Sequence, residues 1–331
     1  MVLKLIKSNH PFNFLLLVLF GTVFWSDSLI NPKSYLFYES DENNILFYPI
    51  YSLLGDFALP GVIIALILML ALSIFIQQIN SQYLVIRERN KLPALIFVIM
   101  AGGLTSIHTL HPVYFAGIFL ILAIYRLFSI FDNEKPYSAC FDSGFLLGIG
   151  SLFYINLLLL IPVFIMSVGI LSKKNGWKIF VIQLIGILLP FIFVFSFGAL
   201  TNRFFETFKV FEQNIAISNN HFETSIFMQV YLGFLTVLTI ISCIIIMIHY
   251  NTKKISSRKF FSVFFLILIF SVTGFVFVPS ISHEMLIITF IPLSYLISNL
   301  LTDLKSRFWS GLIFILLLVV VIFLQIMALF G

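Results

Sequence analysis

The side chains able to do acid–base or binding chemistry in this 331-residue chain are few and sit in short clusters. Ser40-Asp41-Glu42 places two carboxylates side by side. Neighbouring carboxylates repel, which raises the pKa of one and suits it to deprotonate an acceptor hydroxyl as a general base. Flanked by Asn43 and Asn44, the same tripeptide also reads as a solvated acidic turn, and spacing alone favours the turn. His108 and His111, three apart, would share one face and offer two ligands to a divalent metal. No third ligand lies nearby, so a polar turn is the simpler reading and no cofactor is expected. His283-Glu284 opens an apolar run, but position 287 is Ile rather than His, so the pair is not a metalloprotease signature and reads as a polar helix start. Arg203 is a cation in a stretch with few others; it suits a lipid phosphate, or simply caps a helix among ordinary headgroups.

The elements that would hold these groups are apolar. Of the chain, 60% is hydrophobic and 10% charged, with 41 Phe, against about 25% charged in soluble domains. A soluble fold could not hide that surface, so the chain reads as one all-α, polytopic transmembrane bundle spanning residues 1–331, with lipid as its main solvent and partner. Eleven apolar runs follow: Phe12–Trp25, Phe57–Ile79, Pro93–Thr105, Val113–Phe131, Ser143–Tyr154, Leu157–Leu171, Ile179–Leu200, Ile226–Tyr250, Phe260–Val278, Met285–Leu301 and Trp309–Phe330. The first, preceded by Lys4 and Lys7, resembles a signal peptide but lacks a small-residue cleavage site, and is expected to be retained.

Ser143–Tyr154 would rise only about 18 Å, short of a bilayer. Joined to Leu157–Leu171 it would make one tilted helix. The positive-inside rule decides between these readings. With eleven spans, the N-terminus inside and the C-terminus outside, sixteen of the nineteen Lys and Arg are cytoplasmic, and only Lys33, Arg203 and Lys209 are outside. Joining the two runs leaves nine inside and ten outside. A hairpin of short helices turning near Asn156 is therefore expected, buried by its neighbours because lipid cannot satisfy a mid-membrane turn. The Ser106–His111 segment before Pro112 breaks the third run from the fourth.

The same topology puts nine of the fourteen acids and four of the six His outside, including Asp41, Glu42, His108, His111, His283 and Glu284. These would line a polar cavity opening outward, or merely reflect that outer loops lack Lys and Arg. The larger connections, 27–56 and 201–225, are also outside. In the second, Phe204, Phe205, Phe208, Phe211 and Ile215 recur at helical spacing opposite Arg203, Glu206, Lys209 and Glu212, the pattern of an interfacial helix. The first is rich in Tyr and Phe and is expected to lie along the interface. Gly144, Gly148 and Gly150 predict close helix packing. The +5 net charge is thus a matter of topology rather than a nucleic-acid footprint. Walker A, CxxC and Gly-x-Ser-x-Gly sequences are absent, and mid-membrane ionisable residues are nearly so, which disfavours ATPase, redox, serine-hydrolase and ion-pump chemistry.

An outer loop with Asp41-Glu42 is followed by His111-Pro-Val-Tyr-Phe-Ala-Gly-Ile-Phe-Leu, then Phe141-Asp-Ser-Gly-Phe-Leu-Leu-Gly-Ile-Gly150 leading to Ile161-Pro162, and finally His283-Glu-Met-Leu-Ile-Ile-Thr-Phe-Ile-Pro-Leu293. This order resembles the GT-C-type glycosyltransferases, such as protein O-mannosyltransferases and aminoarabinose transferases. The resemblance implies a polyprenyl-phosphate sugar donor, Asp41 or Glu42 as base, and Arg203 or His283 against the donor phosphate. It departs from that family in having His283 where Arg or Lys is usual, one proline instead of two in the late motif, and no soluble domain after it. The chain is more similar still to an uncharacterised family of small multi-pass proteins of Bacteroidota, which implies a bacterial inner membrane. The competing expectations are a non-catalytic scaffold holding protein partners in an envelope assembly and, weakened by the lack of an internal repeat, a lipid or solute transporter.

Overall fold

The computed structural model describes residues 12–35, 37, 44–55, 57–87, 90–173, 176–215, 225–304 and 306–330. The described residues are helical throughout, with no strand. Six helices are long and apolar enough to cross a membrane. They are α4 (Ala58–Tyr83), α9 (Trp177–Leu200), α11 (Ile226–Ile248), α12 (Ile255–Phe277), α13 (Met285–Asp303) and α14 (Arg307–Phe330). Shorter ones lie between them: α1 (Phe12–Phe24), α2 (Ser26–Ile30), α3 (Tyr48–Leu54), α5 (Leu92–Gly102), α6 (Pro112–Phe128), α7 (Tyr137–Phe153), α8 (Ile161–Leu171) and α10 (Phe204–Ile215). The outward faces of α9, α11 and α14 carry exposed Leu188, Phe193, Ile240, Ile244, Ile315 and Val319. Such apolar faces suit acyl chains rather than water. This is a membrane protein.

Two helices form the centre. Every residue of α5, and of α13 from Met285 to Leu301, is buried, and the two pack on each other. Around them, Phe128 stacks on Phe260 at 4.3 Å and Phe264 on Tyr295 at 4.4 Å. Because neighbours enclose it, α5 has no need of membrane-spanning length, but its last carbonyls must then find partners inside the protein. They do. Tyr231 of α11 donates to Met100 O at 2.8 Å, His108 Nε2 lies 3.4 Å from Ala101 O, and Gln325 of α14 donates to Gly102 O. Gly102 and Gly103 let Phe24 and Tyr231 reach this end: a Cβ on Gly103 would stand 2.9 Å from Tyr231 Cζ.

The contacts also give chain direction. Gly61 meets Thr109 and Leu110, Gly117 meets Leu72, and Tyr83 meets Tyr125, so α4 and α6 run parallel and α5 returns between them. Gly144 faces Gln183 and Ile187, while Gly148 faces Ile187 and Pro190, so α7 and α9 also run parallel. The chain therefore turns back after α7. A 3₁₀ segment, Ile155–Leu160, makes the turn and α8 the return, with Gln183 bonding Phe164 O and Gly169 facing Phe180. The expected reversal is present, but α7 begins at Tyr137 instead of near Ser143, and α8 packs chiefly on α12, not along α7.

As a result the connections gather at two ends. The described residues of the 84–91, 129–136, 172–176, 249–254 and 304–306 connections share one, joined by contacts such as Lys253–Asp303 and Ser257–Leu84. Those of the 25–57, 103–111, 154–156 and 278–284 connections share the other. The first holds most of the described Lys and Arg and is here called the basic end.

Candidate functional site

At the end away from the basic loops, one buried polar cluster joins three connections. His111 precedes Pro112, which starts α6 with φ already helical. Its backbone is extended, and its Nδ1 accepts from Val113 N at 3.2 Å, capping the helix. That bond leaves the neutral ring's proton on Nε2, a buried donor with no partner. Tyr154 ends α7, its ring 6.3 Å from that of His111. Its hydroxyl donates to Glu284 Oε1 at 3.1 Å, and Ser282 N donates to the same oxygen at 2.8 Å. Glu284 Oε2 is buried without a partner.

Burial decides the electrostatics. It pushes His111 down to about 3, because a charged imidazole would lose its water. It pushes Glu284 up, an effect opposed by the bonds from Ser282 and Tyr154. His111 is thus uncharged near neutrality, and for Glu284 burial favours the neutral acid. Asn156 and Ser280 lock the adjoining backbone by reciprocal bonds: Asn156 Nδ2 to Ser280 O at 3.1 Å and Ser280 Oγ to Asn156 Oδ1 at 2.9 Å. Tyr35 and Phe37 of the first loop pack on the His111 ring at 4.8 and 5.6 Å, and Phe37 rests on Phe47 and Tyr51. Leu46 N bonds Leu152 O at 3.2 Å. Tyr35, Phe37 and Phe47 therefore turn inward as a roof, with Phe47 fully buried, whereas Tyr48 is exposed.

The expected site residues divide accordingly. His111 and Glu284 meet at Tyr154. His108 does not join His111: it stacks on Trp25 at 4.3 Å, between Ser28 Oγ and Ala101 O, and burial lowers it to about 4. Among the described residues no group of three or more His, Cys, Asp or Glu could hold a metal ion. His283 is half-buried beside Glu284 and is lowered by burial. Arg203 lies at the α9–α10 corner with its side chain 75% exposed, 4.0 Å from Glu206. Asp41 and Glu42 lie outside the described residues.

The amphipathic segment after Arg203 forms α10, which lays Phe204 and Phe211 against Phe195 and Phe191 of α9. Between the two helices runs an open apolar groove of about 400 Å³, lined by Leu188, Phe191, Ile192, Phe195, Ala199 and Phe204, with Ser196 as its polar contribution. A narrower cleft lies under the first loop, beside Tyr35, Phe37, Thr109 and Leu110. Arg203 and His283 line neither. Sequence reasoning missed Tyr154, Asn156 and Ser280 as members of the cluster. Their signal is Tyr154-x-Asn156, a polar interruption of the apolar stretch from Ser143 to Leu171.

Against this geometry, the model of a family of unknown function, DUF6427, matches residues 44–330. No curated protein and no solved structure matches the chain. The family's description carries neither an activity nor an organism. Its match covers the helices from α3 to α14 and all three connections of the buried cluster. This protein belongs to the DUF6427 family.

Proposed function

We propose that this protein is a small GT-C-like glycosyltransferase of the bacterial inner membrane, with eleven crossings and its basic end in the cytoplasm, acting on a polyprenyl-linked sugar at the periplasmic face. The observation carrying this reading is the groove between α9 and α10, apolar along its length and open to the side, with the exposed Arg203 at the corner joining those helices. An isoprenoid tail suits the groove, and a guanidinium at the adjoining headgroup level suits the phosphate. The acceptor hydroxyl would attack the anomeric carbon, losing its proton to Asp41 or Glu42 while the polyprenyl phosphate departs as the leaving group toward Arg203 or His283. Inversion at the anomeric carbon follows from that single displacement. No metal is assigned a role.

The test is lipid-linked sugar analysis in a deletion strain and in an Asp41→Ala/Glu42→Ala strain. Accumulated polyprenyl-phosphate sugar in both supports the transferase. Unchanged lipid and glycan profiles in both would sink it. A second reading, a non-catalytic subunit of an envelope assembly, is favoured by one observation: the polar cluster around Tyr154 is closed, with His111 and Glu284 buried under an aromatic roof. Co-purification of stoichiometric envelope proteins, with those unchanged profiles, would support that alternative. Transport has less support, because aromatic stacks such as Phe264–Tyr295 fill the centre of the bundle.

A further inference from the structure

Three connections meet at Tyr154, and two of them bring a group whose charged form burial opposes. The α5–α6 connection brings His111, and the α12–α13 connection brings Glu284. The first loop closes over them through Tyr35 and Phe37. Two polar atoms, His111 Nε2 and Glu284 Oε2, are fully enclosed and unpartnered. Among the bonds that tie the parts together are Tyr154 to Glu284, Leu46 to Leu152, and the Asn156–Ser280 pair.

We propose that His111, Tyr154 and Glu284 form a proton-operated latch. It holds this end of the bundle closed while His111 and Glu284 are both uncharged, and opens when His111 gains a proton or Glu284 loses one. This inference is independent of the glycosyltransferase reading.

The groups facing the pair are few. Tyr154 stands between them, Tyr35 comes from the first loop, and His283 from the connection of Glu284 itself. On α6, Tyr114 has its hydroxyl bonded to Ile107 O at 2.8 Å. The 3₁₀ segment after α7 and the connection after α12 add the neutral Asn156 and Ser280. No Lys, Arg, Asp or other Glu among the described residues acts on His111 or Glu284. A charge on either would be uncompensated in a dry site, which is a strong drive to open it.

Proton counting gives the signature. In the closed state of the proposed latch the pair holds one proton, on Glu284. Open, the groups return toward their ordinary 4.5 and 6.5. Above 6.5, opening releases that proton, so the closed state loses ground as pH rises. Below 4.5, opening takes one up, so the closed state loses ground as pH falls, until His111 titrates in place near 3. Between these values the His–Glu pair exchanges no net proton. His283, also lowered by burial, adds to the acid side alone and moves the maximum toward 6.5. Each proton is worth up to about tenfold in the opening equilibrium per pH unit.

The experiment is hydrogen–deuterium exchange on the full chain in nanodiscs from about pH 4 to about pH 9, corrected for intrinsic exchange. The amides to follow are Leu46, Tyr154 and Ile281. Their protection should peak near pH 6 and fall on both sides, whereas Ile96 and Ile291 in the central helices should not follow. Glu284→Gln should abolish the alkaline fall and keep the acid one; His111→Gln should reduce the acid fall. Tyr154→Phe should lower protection at every pH while keeping both limbs. A flat wild-type profile overturns the latch, as does one shared by Ile96 and Ile291. An alkaline fall that survives in Glu284→Gln overturns it too. The wild-type profile decides even if a variant fails to fold.

Discussion

The two ends of the bundle bury polar groups by opposite means. At the basic end Lys253 enters from the connection after α11 and meets an acidic partner. Its Nζ donates to Asn299 Oδ1 at 2.8 Å and Asp303 Oδ2 at 2.9 Å, and stands 5.5 Å from the centre of the Phe261 ring. Asn299 in turn donates to Asp303 at 2.9 Å. The Lys253 and Asp303 side chains are 12% and 19% exposed, so water still reaches the pair. At the other end His111 and Glu284 have no Lys, Arg or Asp partner among the described residues, and burial opposes the charged form of each. A charge is kept where a partner and some water are available; elsewhere the proton adjusts. One end therefore pairs its charges, and the other buries groups whose charged forms burial opposes.

The largest expected effect breaks the paired end. Asp303→Ala strands the Lys253 ammonium with Asn299 as its one remaining polar partner, and removing one member of such a buried pair costs about 3–5 kcal/mol. Lys253→Met/Asp303→Leu should recover most of that loss, because it removes both charges. Denaturant titration in mixed micelles would measure both. Equal destabilisation in the single and double variants would mean that packing, not the stranded charge, matters there.

Next in size is a substitution between the ends. A Cβ on Gly144 would run into the Gln183 carbonyl oxygen, and one on Gly186 into that of Phe141. Backbone cannot give way as a side-chain tip can. Gly144→Ala should therefore push α7 from α9 and cost about 1–3 kcal/mol, the usual range for overpacking. The loss should be the same at pH 5 and pH 8, unlike any change at Glu284. A pH-dependent loss would show that the helix pair and the cluster at its end act as one unit.

These features were unequally legible in the sequence. The close approach at Gly144 and Gly148, the break before Pro112 and the amphipathic α10 each follow from local spacing, and each is present. The polar start of α7 is harder to see, because Ser138 and Asp142, one turn apart, look like loop residues until Arg126 of α6 is found to pair with them. Tyr154 and Glu284 are 130 residues apart, so no local pattern links them. In the first loop, composition does not distinguish rings that cover His111, such as Tyr35 and Phe37, from an exposed ring such as Tyr48. His111 and Glu284 are visible as residues, but that neither meets a Lys, Arg or Asp among the described residues belongs to the tertiary structure alone.

The smallest expected effect separates depth from charge at the basic end. Lys173 pairs with Asp132, joining the end of α8 to the connection after α6, yet these side chains are 63% and 66% exposed. Water solvates both ions nearly as well apart as together, and salt screens what remains. Lys173→Ala should therefore change stability by no more than about 0.5 kcal/mol. It also removes one of the described cations of that end, so a larger effect would mean that summed charge matters there beyond local pairing. If the change stays small while Asp303→Ala is costly, burial accounts for the difference, since both sites pair a Lys with an Asp at the same end of the bundle.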